Sequence, residues 1–218
     1  MTHRLIENAF LEEISDYKTE IIEHQEQQKF EMRLKISFLE NGKIFKLGRH
    51  NPDDLGMNKL VWKKCPDGMF LRIDDINKVI DIFIFELKKT ATSHLDKIPQ
   101  QFHAGILRAL SDIAIIHSPL DYSNDSFLIN FRINYHFFIG TTITFNNKQP
   151  RGMPRTLTGA PNPEHPRLID YQKGIVKMNC DAVGEQDVAF KFKELVFNFV
   201  KTDSNGVAIY NFDHNISI

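Results

Sequence analysis

The chain has 218 residues, 42% hydrophobic and 25% charged, with 27 basic and 28 acidic side chains for a net charge of −1. That length and apolar content suit a single domain, 1–218, with a sizeable core, while the balanced charge excludes a histone-like or purely electrostatic nucleic-acid binder but not a local basic groove. The two cysteines, Cys65 and Cys180, form no C-x-x-C pair and supply too few ligands for zinc, and neither an apolar signal core nor a run of eighteen apolar residues occurs, so the expectation is a soluble protein of a reducing, cytoplasmic interior.

In chain order, Ile6, Phe10, Leu11, Ile14, Tyr17, Ile21 and Ile22 recur at helical spacing and predict a helix over about 6–28. Its opposite face is acidic: residues 1–40 hold nine acidic against five basic side chains, most simply a solvated face. Phe30–Phe38 alternates apolar and polar and predicts the first strand, with Glu40-Asn41-Gly42-Lys43 turning into Ile44–Leu47. Asn51-Pro52-Asp53-Asp54 reads as a loop, and Trp62 as a core or subunit-contact residue, with base contact as the lesser alternative.

Val79–Lys88 (VIDIFIFELK) is a strongly β-prone run with apolar residues on both faces, as a central strand requires. Side chains alternate faces along a strand, so Glu86 and Lys88 share a face with Ile80, Ile82 and Ile84, and Asp81 points the other way. Asp75-Ile76-Asn77-Lys78 has turn composition, which runs Asp67–Asp74 back antiparallel. Folding there places Asp67 directly opposite Glu86, with Cβ atoms roughly 5 Å apart. Two opposed carboxylates repel each other, so the pair favours a cation.

A helix follows over about 99–116, with Pro99 in its first turn and Phe102, Ile106, Leu107, Leu110, Ile113 and Ala114 on one face. His103 reads as an ordinary helix residue. Phe127–Phe138 alternates again, with Asn130, Arg132, Asn134 and His136 on a polar face that suits a groove or plain solvent. Asn146–Pro166 then holds five of the nine prolines. The span 147–178 has six basic against two acidic residues. This loop insertion, at about 146–167, is either a DNA-contacting arm through Lys148, Arg151 and Arg155 or a surface loop without a ligand. Phe190–Lys201 and Val207–Phe212 flank Asp203-Ser204-Asn205-Gly206 and predict a closing hairpin.

Pro66-Asp67, then Glu86-Leu87-Lys88 after eighteen intervening residues, resembles the signature of the PD-(D/E)XK nucleases, the restriction-endonuclease-like superfamily. The likeness covers roughly residues 10–140 at fold level and four or five residues at motif level. It implies an α/β (α+β) fold, a mixed β-sheet core flanked by helices in the order αβββαβ. It also implies a metal-dependent endodeoxyribonuclease, most simply a type II restriction enzyme acting on double-stranded DNA as a homodimer. Asp67, Glu86 and Lys88 would be catalytic. Mg²⁺, with Mn²⁺ as substitute, would be held by Asp67, Glu86 and the carbonyl of Leu87, with Lys88 orienting water or stabilising the phosphorane. In several members a first-helix Glu joins the metal site, for which Glu20 and Glu13 are the candidates here. In some, a Gln on the helix after the motif is followed four residues on by Tyr; here Gln101 is followed by Gly105.

The same residues admit blander readings. Pro-Asp-Gly is an ordinary turn tripeptide, and Glu and Lys two apart suit a solvated strand end. Alternative functions are a non-specific defence or repair nuclease with the same site, and a non-catalytic nucleic-acid-binding protein that retains the fold. An unrelated α+β interaction domain would hold the two carboxylates more than about 8 Å apart, too far for one ion.

Overall fold

The structure, a computed structural model, describes residues 11–25, 30–48, 66–88, 97–117, 131–141, 173–177 and 194–212. The proline-rich loop with Lys148, Arg151 and Arg155, the loop at 51–54, Trp62 and both cysteines lie outside these residues. The described elements are β1 (Leu11–Glu13), β2 (Lys18–Gln25), β3 (Phe30–Ser37), β4 (Lys43–Leu47), β5 (Gly68–Asp74), β6 (Val79–Lys88), α1 (Lys97–His117), β7 (Arg132–Thr141), β8 (Ile175–Lys177), β9 (Glu194–Lys201) and β10 (Val207–Asn211). The class is mixed α+β and mostly strand. No helix among them is long and apolar enough to cross a membrane.

Seven strands form one mixed sheet in the order β1-β4-β5-β6-β7-β9-β8, and three form a second in the order β10-β3-β2. In the large sheet β4, β5 and β6 are antiparallel neighbours, while β7 is parallel to β6 and β9 to β7. Helix α1 makes the crossover from β6 to β7 and covers one face of this sheet; the small sheet covers the other. The alternation of β6 serves both cores. Ile80, Ile82 and Ile84 join the cluster that holds Phe102 and Ile106 of α1. Phe83, Phe85 and Leu87 join the cluster with Met32, Leu34 and Ile36 of β3. Every residue of β6 except Lys88 is buried, as a central strand demands.

The β5–β6 hairpin folds as its sequence predicts. Asp74 Oδ1 accepts hydrogen bonds from the backbone amides of Ile76 (3.1 Å) and Asn77 (2.9 Å), and Lys78 takes the left-handed conformation that closes the turn. The helix spans the expected residues, but Leu107 is 43% exposed. The stripe that meets the sheet is Ile98, Phe102, Ile106, Ala109 and Ile113, one turn apart each time, and Leu107 falls beside it.

Three expectations are corrected. The predicted helix over 6–28 is strand at 11–13 and 18–25. Tyr17 at φ 58° interrupts the run, and Thr19, Ile21 and Glu23 pair with Ile36, Leu34 and Met32 of β3. The apolar spacing of this segment matches a helix, but Thr19, Ile21 and Glu23 also lie on one face at a period of two, and pairing with the strongly alternating β3 decides for strand. The turn at 40–43 carries the chain from the small sheet to the large one, so β3 and β4 are not partners. The closing hairpin is likewise a crossing: β9 pairs with β7 and β8, whereas β10 pairs in parallel with β3. Asp203 Oδ1 caps that turn through the amides of Asn205 and Val207. It delivers Phe212 into the inter-sheet core, where its ring stacks on Phe38 at 5.2 Å.

On the sheet face opposite Glu86, Asp81 is held by four hydrogen bonds from three residues. Arg72 Nε and Nη2 reach Oδ2 at 2.9 and 2.5 Å, and Asn134 Nδ2 and His136 Nε2 reach Oδ1 at 2.9 and 2.8 Å. Asn134 and His136 of β7 thus serve a buried carboxylate, while Arg132 at the start of the strand is exposed. Burial opposes the Asp81 charge, and the bonds from His136, Asn134 and Arg72 outweigh it, lowering its pKa from 3.8 to about 2. A folded-state pKa below the unfolded value gives stability that is present above pH 4 and lost as pH falls toward 2, here about 2 kcal/mol. Asp81→Asn is expected to cost roughly 3 kcal/mol at neutral pH, leaving the Arg72 guanidinium without its carboxylate and with only Asn41 Oδ1 as acceptor. Urea unfolding of both proteins between pH 7 and pH 2 should show the gap narrowing below pH 4; a gap constant with pH would contradict this account.

Candidate active site

The register of the hairpin builds the site. Gly68 pairs with Phe85 and Met69 with Ile84, so one residue further Asp67 stands opposite Glu86, both on the α1 side of the sheet. Asp67 Oδ2 accepts the backbone N–H of Leu87 at 2.6 Å. In an extended strand the N–H and C=O of one residue leave on the same side, so the Leu87 carbonyl also leaves β6 on the side of Asp67. The side chain of Leu87 turns to the opposite face and packs over Gly140, where a Cβ would collide with it.

Glu86 is fully buried. Its Oε1 is ion-paired with Lys88 Nζ, and its Oε2 is buried without a hydrogen-bond partner. Burial, then the neighbouring Asp67 charge, push its pKa up, while Lys88 and Gln101 pull the other way. Burial opposes the Lys88 charge, but the carboxylates of Glu86, Asp67 and Glu23 outweigh it and hold the ammonium above its ordinary range. Both directions follow from one fact: acidic groups are crowded into a place where water does not screen them.

Two residues complete the surroundings. Gln101, in the first turns of α1, is buried, stands within hydrogen-bonding reach of Glu86 and has an Oε1 without a partner. It is brought there by Gly105, whose absent side chain lets the helix sit close: a Cβ would lie 2.9 Å from Ile84 Cδ1 and 3.0 Å from Pro66 Cγ. Glu23 comes from β2 of the small sheet. Of the two acids expected from a first helix, Glu20 instead lies on the outer face of that sheet, 3.1 Å from Arg33 Nη1, and Glu13 is exposed on β1. Glu23 was legible only through the alternation Thr19-Ile21-Glu23, which a helical reading hides. Gly68 does not form a turn; it opens β5, and a side chain there would meet Ile21.

Among the described residues there is no cluster of three or more His, Cys, Asp and Glu. The site therefore offers two carboxylates, a backbone carbonyl and the buried, unpartnered oxygens of Glu86 and Gln101, all of them hard donors suited to a small divalent cation. Asp67 and Glu86 are not far apart, as the unrelated-domain alternative required. No protein-family model matches the chain, and neither the curated proteins nor the solved structures yield a match.

Gly105→Val is expected to force α1 away from Ile84 and Pro66 at a cost of about 2 kcal/mol. Calorimetry should show a lower unfolding temperature, and an unchanged one would mean that the helix is not held at this distance.

Proposed function

We propose that the protein is a Mg²⁺-dependent endodeoxyribonuclease with a restriction-endonuclease-like core, cleaving double-stranded DNA through Asp67, Glu86 and Lys88. The observation that carries this reading is the juxtaposition of Asp67 and Glu86 at the end of a buried central strand, with Lys88 on the same face. Support comes also from the order β4-β5-β6-α1-β7, an antiparallel βββ unit followed by a helix and a strand parallel to the third. The small sheet occupies the layer where the resemblance implies a helix.

Asp67 and Glu86, with the Leu87 carbonyl, would hold the cation; Mn²⁺ would substitute for Mg²⁺. When bound, such an ion supplies Lewis acidity at the phosphate and a more acidic water. The chain's own residues do the rest. The Leu87 N–H fixes the Asp67 carboxylate, Gln101 holds the Glu86 side, and Lys88 presents an ammonium that stays charged at neutral pH to the developing negative charge. A homodimer would place two such sites on the two strands, and Lys148, Arg151 and Arg155 would contact DNA. A type II restriction enzyme fits this best, with a non-specific defence or repair nuclease carrying the same chemistry.

The test is cleavage of plasmid DNA with Mg²⁺, with EDTA, and with Lys88→Ala. Lys88→Ala is expected to lower the rate at least about a hundredfold, and EDTA to abolish cutting. Discrete bands would indicate sequence specificity and a smear its absence. No metal-dependent cutting of DNA would refute the reading.

A further inference from the structure

We propose that Lys201 is a second phosphate contact for the DNA strand that reaches Lys88, held at a fixed offset by the sheet. The inference rests on the nuclease reading above for its ligand. Three parallel strands, β6, β7 and β9, end side by side at the mouth of the β5–β6 hairpin, and their last residues are in register: Lys88 pairs with Thr141, and Thr141 with Lys201. In open sheets with parallel strands, ligands bind outside such carboxyl ends. Parity gives the three side chains one face. Ile84, Phe137 and Phe197 form a single register row, and all three belong to the core beneath α1. Lys88, Thr141 and Lys201 each lie four residues further along, an even number, and so return to the α1 side. Thr141 is buried there, and Lys201 is exposed.

The amide of Thr202 donates to the Thr141 carbonyl at 3.0 Å, which carries the ladder past Lys201 and fixes its backbone. Asp67 and Glu86 put two carboxylates at this edge of the sheet, and both repel an approaching phosphate. Lys88 is ion-paired with Glu86, whereas Lys201 has no ion pair among the described residues. Asp203, two residues on, has its Oδ1 engaged by the amides of Asn205 and Val207. Lys201 therefore has its ammonium available for a phosphodiester oxygen. Neighbouring strands lie about 4.8 Å apart, so Lys201 stands two strands, or roughly 10 Å, from Lys88. Charges on one DNA strand recur about every 3.4 Å of helix axis, and an ammonium at that offset meets the backbone about three nucleotides from the phosphate at Lys88. A contact of this kind sets where the strand lies and carries no sequence information.

The experiment uses the full chain with Lys201→Gln and Lys201→Arg, and with Lys35→Gln as a control that removes the same charge. Lys35 is exposed on the outer face of the small sheet, in register between Ile209 and Glu20. Binding of a double-stranded oligonucleotide is followed by fluorescence anisotropy in EDTA, between about 50 and 200 mM salt. Lys201→Gln is expected to weaken binding about fivefold at the lower salt and to reduce the slope of log affinity against log salt by about 0.9, the value of one phosphate contact. Lys201→Arg should restore both, and Lys35→Gln should change neither. An unchanged slope for Lys201→Gln overturns the inference, as does an equal loss for Lys35→Gln or a slope that Lys201→Arg fails to restore. Binding by the unmodified protein without metal-dependent cleavage would instead bring down the nuclease reading and leave the contact standing, and no binding of DNA would bring down both.

Discussion

The pairing register of β5 with β6 is the constraint on which the rest depends. Strand side chains alternate with a period of two, so a slip of one residue would send Asp67 to the opposite face from Glu86 and exchange the two cores. Several features hold the register. Asp74 closes the turn through Ile76 and Asn77, Arg72 is clamped to Asp81 directly across the ladder, and Asp67 accepts the amide of Leu87 at the open end. Polar bonds at both ends and isoleucine against leucine in the middle make the alternative pairings costly.

Burial on both sides gives the hairpin mouth its chemical character. Helix α1 closes over one face because Gly105 admits it, and the small sheet closes over the other because Gly68 admits Ile21. Glu86 is therefore a carboxyl without water beside a second carboxyl, and Lys88 is the cation that answers both. An arrangement of this kind opposes stability in the absence of a bound cation, since the oxygens of Glu86 and Gln101 are buried with a partner missing. A buried polar group left without a partner calls for an explanation, of which a bound ion is one. On the proposed reading, the metal supplies what these oxygens lack.

Much of this was legible in the chain. The turn composition of Asp75–Lys78 and the two-faced apolar run of β6 specify a hairpin, and parity then specifies which acids meet. The helix after it was marked by Pro99 and its apolar stripe. The segment before β3 was not legible, because Ile14, Ile21 and Ile22 have helical spacing and outweigh the alternation of Thr19, Ile21 and Glu23, and only the partner β3 decides. The turns at 40–43 and 203–206 have hairpin composition, yet each joins two sheets. Local turn chemistry sets the reversal of the chain but not which sheet receives the next strand. Glu23 escaped for the first reason. Gln101 is legible on the helix, but Gly105 stands where some members of the resembled superfamily have tyrosine, and only the packing shows that its smallness brings the glutamine to Glu86.

The central claim is that Asp67 and Glu86 form one divalent-cation site, and a crystal structure of the protein with Mn²⁺ tests it most directly through the anomalous signal of the metal. The account predicts a peak between the two carboxylates, with an oxygen of each about 2.1 to 2.6 Å away. A saturated crystal with no peak there, or with Lys88 still paired to Glu86 and the metal bound elsewhere, would contradict it.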